Sequence, residues 1–209
     1  MIKKILSTIL IIVAFFTVSG CANSQTVSGR VRELNVSESD VALLTIFSDN
    51  GKGESNWLTR NYGHSFFTVT NLSNQELIVG DMVVNPSDTI AVGLWSIYEH
   101  FGVWYNVESN YIKEHNKYAQ RVSLTIGVSL EDIYSITEVI KNNDLWTPLY
   151  NCSKFALDVW NTVASENEKI DTKLLMSPGY LVEEIKKFAG YEDVRPCNTS
   201  NIVRYYGEV

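Results

Sequence analysis

The chain has 209 residues, of which 45% are hydrophobic and 20% charged, the balance of one folded domain rather than a disordered or fibrous protein. Its 24 Asp and Glu residues outnumber its 17 Lys and Arg residues, so the net charge at pH 7 is −7. A chain this acidic is poorly suited to neutralising phosphates, which excludes nucleic acid as an expected partner. No tandem repeat or low-complexity tract indicates a solenoid or a linker-dominated protein.

The first twenty residues have the pattern of an export signal. Two lysines at positions 3 and 4 precede an apolar run over 5–18, which is too short to span a bilayer. The run ends in the sequence VSGC at 18–21, which resembles the bacterial lipobox. That resemblance implies that Cys21 is lipidated and becomes the first mature residue. The alternative is an ordinary secreted protein with a chance cysteine.

These features divide the chain into three parts. Residues 1–20 are the predicted signal peptide, residues 21–36 a lipidated flexible tether rich in Ser, Asn, Gln and Thr, and residues 37–209 the folded domain. Lipid chains on Cys21 would hold the protein to a membrane leaflet without any spanning segment. We therefore expect an exported, lipid-anchored protein of the bacterial cell envelope, with the particular membrane and leaflet left open.

The first half of the domain contains the patterns of β-strands. Short apolar runs bounded by turn-forming residues predict strands at 41–47, 65–71, 76–84, 89–95, 102–105 and 120–127. The polar sequence LSNQ at 72–75 is typical of a hairpin, so 65–71 and 76–84 are expected to pair within a β-meander. No element is predicted between the last two strands.

Three helices are predicted in the second half. Ser129 and Asp132 form a capping box at the start of the first helix, which extends to position 141. Asn151 caps the second, whose apolar stripe continues to position 163. Ser177, followed by proline, starts the third, and Gly190 ends it. The expected fold class is α+β, with an antiparallel sheet or partial barrel packed against helices.

Cys152 is the strongest candidate for a reactive group. Because Asn151 caps the helix, Cys152 falls in the first turn, where unpaired backbone N–H groups and the positive end of the helix dipole favour a thiolate. Its own amide could help to form an oxyanion hole. Two other interpretations are open: a disulfide with Cys197, which an oxidising compartment permits, or a small buried hydrophobe.

A nucleophilic thiol requires a base, and His64 is the best placed of the three histidines. It follows Gly63 and begins a strand with apolar neighbours, whereas His100 and His115 lie in sequences typical of the surface. A single histidine at the start of a strand is also common as a structural residue, so the residues alone leave both roles open.

Two motifs together resemble those of a known enzyme family. The sequence GHSFF at 63–67 leads into a strand, and YNCSKFA at 150–156 opens a helix roughly ninety residues further on. This pattern is similar to the circularly permuted papain-like cysteine hydrolases, the NlpC-type relatives that include the YiiX-like amidases and the lecithin:retinol acyltransferase group. In the permuted branch the histidine precedes the cysteine, as it does here. The resemblance covers roughly residues 41 to 165.

The resemblance implies a permuted papain-like domain in which Cys152 is the nucleophile and His64 the general base and then acid. A third polar residue would orient the imidazole. If 65–71 and 76–84 pair through the predicted hairpin, Val83 lies opposite His64, and Asp81 and Asn85 are its diagonal neighbours on the same face. Asp81 and Asn85 are therefore the candidates for the third residue.

The expected function is that of a membrane-tethered cysteine hydrolase that cleaves an amide bond through a thioester. The resemblance suggests either a peptidoglycan stem peptide or an acyl amide or ester as substrate, the envelope location favours the stem peptide, and acyl transfer is a close variant. The sequence has no H-E-x-x-H, C-x-x-C or EF-hand motif, so neither a metal nor another cofactor is expected. The alternative is a non-enzymatic envelope lipoprotein with a binding groove and a structural Cys152–Cys197 disulfide.

Overall fold

A computed structural model describes residues 36–52, 63–97 and 100–199, which form an α+β domain. The predicted signal peptide, Cys21 and almost all of the tether lie outside these residues. The strands are β1 (Ala42–Asp49), β2 (His64–Asn71), β3 (Leu77–Val79), β4 (Met82–Val84), β5 (Thr89–Ile97), β6 (His100–Tyr105), β7 (Val122–Val128) and β8 (Glu192–Asp193). The helices are α1 (Val107–His115), α2 (Leu130–Asn142), α3 (Cys152–Val163) and α4 (Pro178–Ile185).

Six of these strands form one antiparallel sheet in the order β6-β5-β2-β1-β7-β8. The strand β1 lies between β2 and β7, and its side chains are almost all buried, as expected for an apolar run with helices on one face and further packing on the other. Its last residue, Asp49, pairs with His64, the first residue of β2. The predicted catalytic histidine therefore lies at the end of the two central strands.

The predicted pairing of 65–71 with 76–84 is wrong. The later segment folds back on itself as the small hairpin β3-β4, with Ile78 opposite Val83, and β5 takes the edge of β2 instead. The apolar residues Leu77 and Val79 face the core, while the hydroxyl of Thr137 in α2 donates to the Ile78 carbonyl at 3.1 Å. The hairpin is thus held by burial of its apolar side chains and by hydrogen bonds to Thr137 of α2.

Helix α1 was not predicted from the sequence. It begins after Asn106, which has a left-handed backbone conformation with φ of 62°, and its side chains are mostly polar. Its buried residues, Val107, Glu108 and Ser109, are consecutive in its first turn rather than spaced along one face. The apolar periodicity that marks most surface helices is therefore missing.

The three predicted helices are present, with the predicted N-terminal caps. Ser129 and Asp132 form the capping box of α2, Asn151 caps α3, and Ser177 caps α4 with a proline in its first turn. Helix α4 ends at Ile185, five residues before the predicted stop. The chain there tightens into i to i−3 hydrogen bonds, such as that from the Phe188 amide to the Ile185 carbonyl at 3.1 Å.

The sheet buries both of its faces. One face packs against α2, α3 and α4 around large side chains such as Phe67, Phe155 and Trp160, and the other packs against α1 around Phe66 and Trp95. The N-terminus of α3 approaches from the first face, while the side chain of His64 projects toward the second group. Among the described helices, none has the length and apolarity needed to cross a membrane.

Candidate active site

Helix α3 presents Cys152 as its first residue. The side-chain oxygen of Asn151 accepts hydrogen bonds from the amides of Ser153 at 3.0 Å and Lys154 at 3.2 Å, and not from that of Cys152. The side-chain amide of Asn151 donates to the Met176 carbonyl at 2.8 Å, which ties the helix to the segment before α4. The predicted cap is confirmed, and it fixes the position of the thiol at the positive end of the helix.

A row of three buried serines, which the sequence did not suggest, holds this helix end against the sheet. The hydroxyl of Ser65 lies 2.9 Å from that of Ser153 and 2.8 Å from that of Ser48. Ser48 in turn donates to the carbonyl of Pro178 at 2.9 Å. The row joins β1, β2, α3 and α4. Its hydrogen bonds therefore fix α3, which carries Cys152, against β2, which carries His64.

The structure brings Cys152 and His64 together. Both side chains line the same cavity and are close enough for each to shift the pKa of the other, and the sulfur of Cys152 lies 4.0 Å from the hydroxyl of Ser153. Nε2 of His64 contacts a carboxylate, so Nδ1 is the ring nitrogen that faces the sulfur. The mutual interaction of the two side chains does not favour the interpretation of Cys152 as an inert core residue.

Glu108 in α1 is the acidic partner of the imidazole. Its Oε1 lies 2.9 Å from Nε2 of His64 and accepts a second hydrogen bond of 2.9 Å from Nε1 of Trp95. The carboxylate is fully buried. Gly93 in β5 leaves the space for it, since a Cβ at that position would lie 1.7 Å from Oε1. Glu108 is therefore the described acidic side chain that contacts the imidazole.

Asp81 and Asn85 do not reach His64, which corrects their selection as candidates for the third residue. Asp81 lies in the turn of the β3-β4 hairpin, and its carboxylate is 3.9 Å from Nζ of Lys141. The side chain of Asn85 donates to Asp88 at 3.1 Å within the next turn. The prediction of both residues rests on the register of the 65–71 and 76–84 hairpin, and that register does not occur.

Burial disfavours the charged forms of both His64 and Cys152, but the attraction between the two charges outweighs the effect of burial. Burial lowers the pKa of His64, yet the charge of Cys152, its hydrogen bond and the nearby Glu108 raise this pKa from 6.5 to about 9. Burial likewise raises the pKa of Cys152, yet the charge and hydrogen bond of His64, with the Ser65 backbone and the Ser153 hydroxyl, lower it overall. We therefore expect a thiolate and an imidazolium near neutral pH.

This ion pair makes the alkylation of Cys152 depend on pH in a defined direction. We expect the rate with iodoacetamide to reach half its plateau below pH 9.0, the ordinary pKa of a thiol, because the imidazolium stabilises the thiolate. His64→Ala removes that charge and should move the midpoint upward. Cys197 is an internal control, since burial raises its pKa to about 12. A midpoint at or above 9.0, or one that His64→Ala leaves in place, would contradict the pair.

Glu108 supplies the second test of the geometry. Glu108→Gln keeps an oxygen for His64 and Trp95 but removes the negative charge that helps to raise the pKa of His64. In an enzyme that uses this pair, we expect turnover to fall about tenfold, and its upper pH limit to move down from about 9, because His64 loses its proton earlier. The pH profile of kcat measures this. An unchanged upper limit would show that Glu108 does not act through the imidazole.

The two cysteines of the domain are both free thiols. Cys197 is buried near Glu108 and Arg121, and it lines a different cavity from the one beside Cys152. The disulfide expected in the non-enzymatic alternative is therefore absent from the structure. Within the described ranges, no group of three His, Cys, Asp or Glu residues is arranged to hold a metal ion.

A cavity of about 660 Å³ opens beside Cys152 and His64. Most of the described residues that line it are apolar or aromatic: Leu94, Trp95, Ile97, Tyr118, Trp146, Pro148, Met176 and Pro178. His64 is the only one among them with a basic side chain, and none has an acidic one. The ring centroid of His64 lies 4.3 Å from that of Trp95 and 5.6 Å from that of Tyr118. The cavity can therefore enclose an uncharged group next to the thiol.

Comparison of the chain with protein-family models, curated proteins and solved structures finds no match.

Proposed function

We propose that this protein is a cysteine hydrolase that cleaves an acyl bond through a thioester. One observation carries the proposal: a partly exposed thiol at a helix N-terminus lines the same cavity as a histidine with which it interacts, and Nε2 of that histidine contacts a buried carboxylate. A nucleophile, a base and a group that orients the base are the parts that covalent catalysis requires.

The chemistry follows from the proton that His64 holds. The Cys152 thiolate attacks the substrate carbonyl, and the amide of Cys152 at the positive helix end faces the developing oxyanion. Imidazolium then donates its proton to the leaving amine or alcohol, which departs and leaves a thioester. Neutral His64 next takes a proton from water as the water attacks that thioester, and the released acid and free thiolate complete the cycle. An alcohol or amine in place of water would give acyl transfer.

The order of the parts supports the permuted papain-like fold as part of the proposal. The histidine begins a central strand of an antiparallel sheet, and the cysteine starts a helix that follows it along the chain. In the permuted family that the two motifs resemble, the histidine likewise precedes the cysteine along the chain, whereas in papain-type chains the cysteine comes first.

The lining of the cavity favours an acyl amide or ester over a peptidoglycan stem peptide. A stem peptide has carboxylate and amine groups, and apart from the Cys152 and His64 pair no described lining residue has a charged side chain to meet them. An uncharged acyl group instead matches the aromatic and aliphatic walls. The proposed location is the cell envelope, where the lipobox-like sequence at 18–21 would provide a lipid anchor on Cys21.

Trapping of the thioester tests the function. We expect a p-nitrophenyl ester with a medium-length acyl chain to release one equivalent of nitrophenol in a burst and to leave the acyl group on the peptide that contains Cys152, as found by mass spectrometry after acid quenching. A matched ester of an anionic acyl group, such as glutaryl, should react more slowly. Acylation elsewhere in the chain, or the absence of a burst with every ester and amide, would contradict the proposal.

A further inference from the structure

Four leucines lie exposed on the two chain segments that flank the mouth of the active-site cavity. Leu145 and Leu149 precede α3, and Leu174 and Leu175 precede α4. Their exposed fractions range from 57% to 84%. Burial of leucine is strongly favourable, so a group of four in solvent requires a reason. We call these four residues the leucine rim.

The leucine rim is continuous with the cavity. Trp146 and Pro148 lie between its first two members and line the cavity, and Met176, Ser177 and Pro178 follow its last two members and do the same. The segments 145–150 and 174–178 contain no charged residue. An apolar surface therefore extends from the walls of the site to the outside of the molecule.

The N-terminal part of the chain is long enough to let this face meet a membrane. The described chain begins at Val36, close to the start of β1, whereas the site lies beside Asp49 at its other end. A strand of this length spans about 25 Å, and the residues from Cys21 to Val36 can extend over about 50 Å. A lipid on Cys21 would thus permit the opposite end of the domain to turn toward the bilayer.

We propose that the leucine rim docks into a lipid bilayer and places the mouth of the cavity at the membrane surface. The rim would contact the boundary between the acyl chains and the headgroups, because the rim segments have apolar side chains and no cations. Loss of Lys3 and Lys4 with the signal peptide would take the net charge from −7 to −9, which favours neutral or zwitterionic lipid over anionic lipid. The inference deepens the proposed function, because an acyl amide or ester could then enter the site directly from the leaflet.

Depth-dependent quenching of tryptophan fluorescence tests the docking. The full lipidated chain is reconstituted in phosphatidylcholine vesicles whose acyl chains carry bromine, and the contribution of Trp146 is obtained by difference from Trp146→Phe. We expect this contribution to be quenched in the parent chain and to be quenched at least threefold less in the variant with all four rim leucines changed to serine. The anchor is the same in each variant, so the comparison reports docking rather than attachment.

The matched control is the pair Ile78→Ser and Val83→Ser. These two side chains are 59% and 54% exposed and oppose each other on the β3-β4 hairpin, where neither lines the cavity. We expect their replacement to leave the quenching unchanged, and thermal melting should confirm that both variants fold. Addition of phosphatidylglycerol to the vesicles should weaken the quenching.

Three results would overturn the docking: no quenching in the parent chain, quenching that persists in the rim variant, or a dimer in detergent that the rim variant converts to a monomer. The last would show that a second copy covers the rim. Cys152→Ala should be quenched like the parent chain, because docking requires no chemistry. Failure of the docking and failure of the proposed function can therefore be told apart, because quenching reports the first and turnover the second.

Discussion

Replacement of Cys152 by alanine is expected to abolish turnover of an acyl ester, with a fall of about ten-thousandfold or more. The reason is that the thiolate is the nucleophile that forms the thioester. Without it, the cavity can still bind the ester, but no side chain attacks its carbonyl. Steady-state rates with the p-nitrophenyl ester measure the loss. Cys197→Ala is the matched control and should retain activity within about twofold, since Cys197 lines a separate cavity.

Serine at position 152 separates reactivity from shape. Cys152→Ser keeps a small nucleophile at the start of α3, but a hydroxyl is far less acidic than a thiol, so the imidazole cannot hold it as the anion. We expect this variant to be nearly as inactive as Cys152→Ala while it melts at the same temperature as the parent chain. Substantial activity in either variant would mean that Cys152 is not the nucleophile.

The elements that the sequence predicted correctly have local signals. The apolar runs of β1 and β2 end at turn-forming residues, and the caps Ser129, Asn151 and Ser177 mark the helix starts from a few neighbouring residues. The proximity of Cys152 and His64 was also predictable in outline, because the apolar stripe of α3 turns its first residue toward the sheet and His64 begins a strand of that sheet.

Glu108 and the serine row could not be found in this way. Glu108 lies in a helix without an apolar stripe, and it meets His64 only because β5 pairs with β2 and leaves Gly93 beneath it. The prediction of Asp81 and Asn85 rests on pairing between the neighbouring segments 65–71 and 76–84. That pairing fails because 76–84 contains its own turn at Gly80 and packs on α2. The residue that contacts His64 therefore depends on the pairing of strands far apart in the sequence, which local patterns do not reveal.

Gly93→Ala is expected to lower kcat/KM about a hundredfold, although the substitution adds a single methyl group at some distance from the thiol. The new Cβ would lie 1.7 Å from Oε1 of Glu108 and 3.1 Å from Nε2 of His64. Glu108 is fully buried, so its carboxylate cannot move aside into solvent. It must instead shift away from His64 and Trp95, and the imidazole then loses the contact that orients it.

Gly127→Ala is a matched control for this substitution. Gly127 also lies in a strand of the main sheet, and a Cβ there would lie 2.0 Å from Oδ2 of Asp40. That carboxylate belongs to a partly exposed residue at the edge of the domain, and it can rotate toward solvent. The same chemical change with the same kind of clash should therefore leave kcat/KM close to that of the parent chain.

The pH profile distinguishes a lost contact from a general loss of stability. Displacement of Glu108 removes one of the groups that raise the pKa of His64, so the upper limit of activity in Gly93→Ala should move down from about 9. Unfolding alone would lower the rate at every pH without moving that limit. If Gly93→Ala keeps both its rate and its upper limit, the carboxylate has another position available, and Glu108 does not set the orientation of His64.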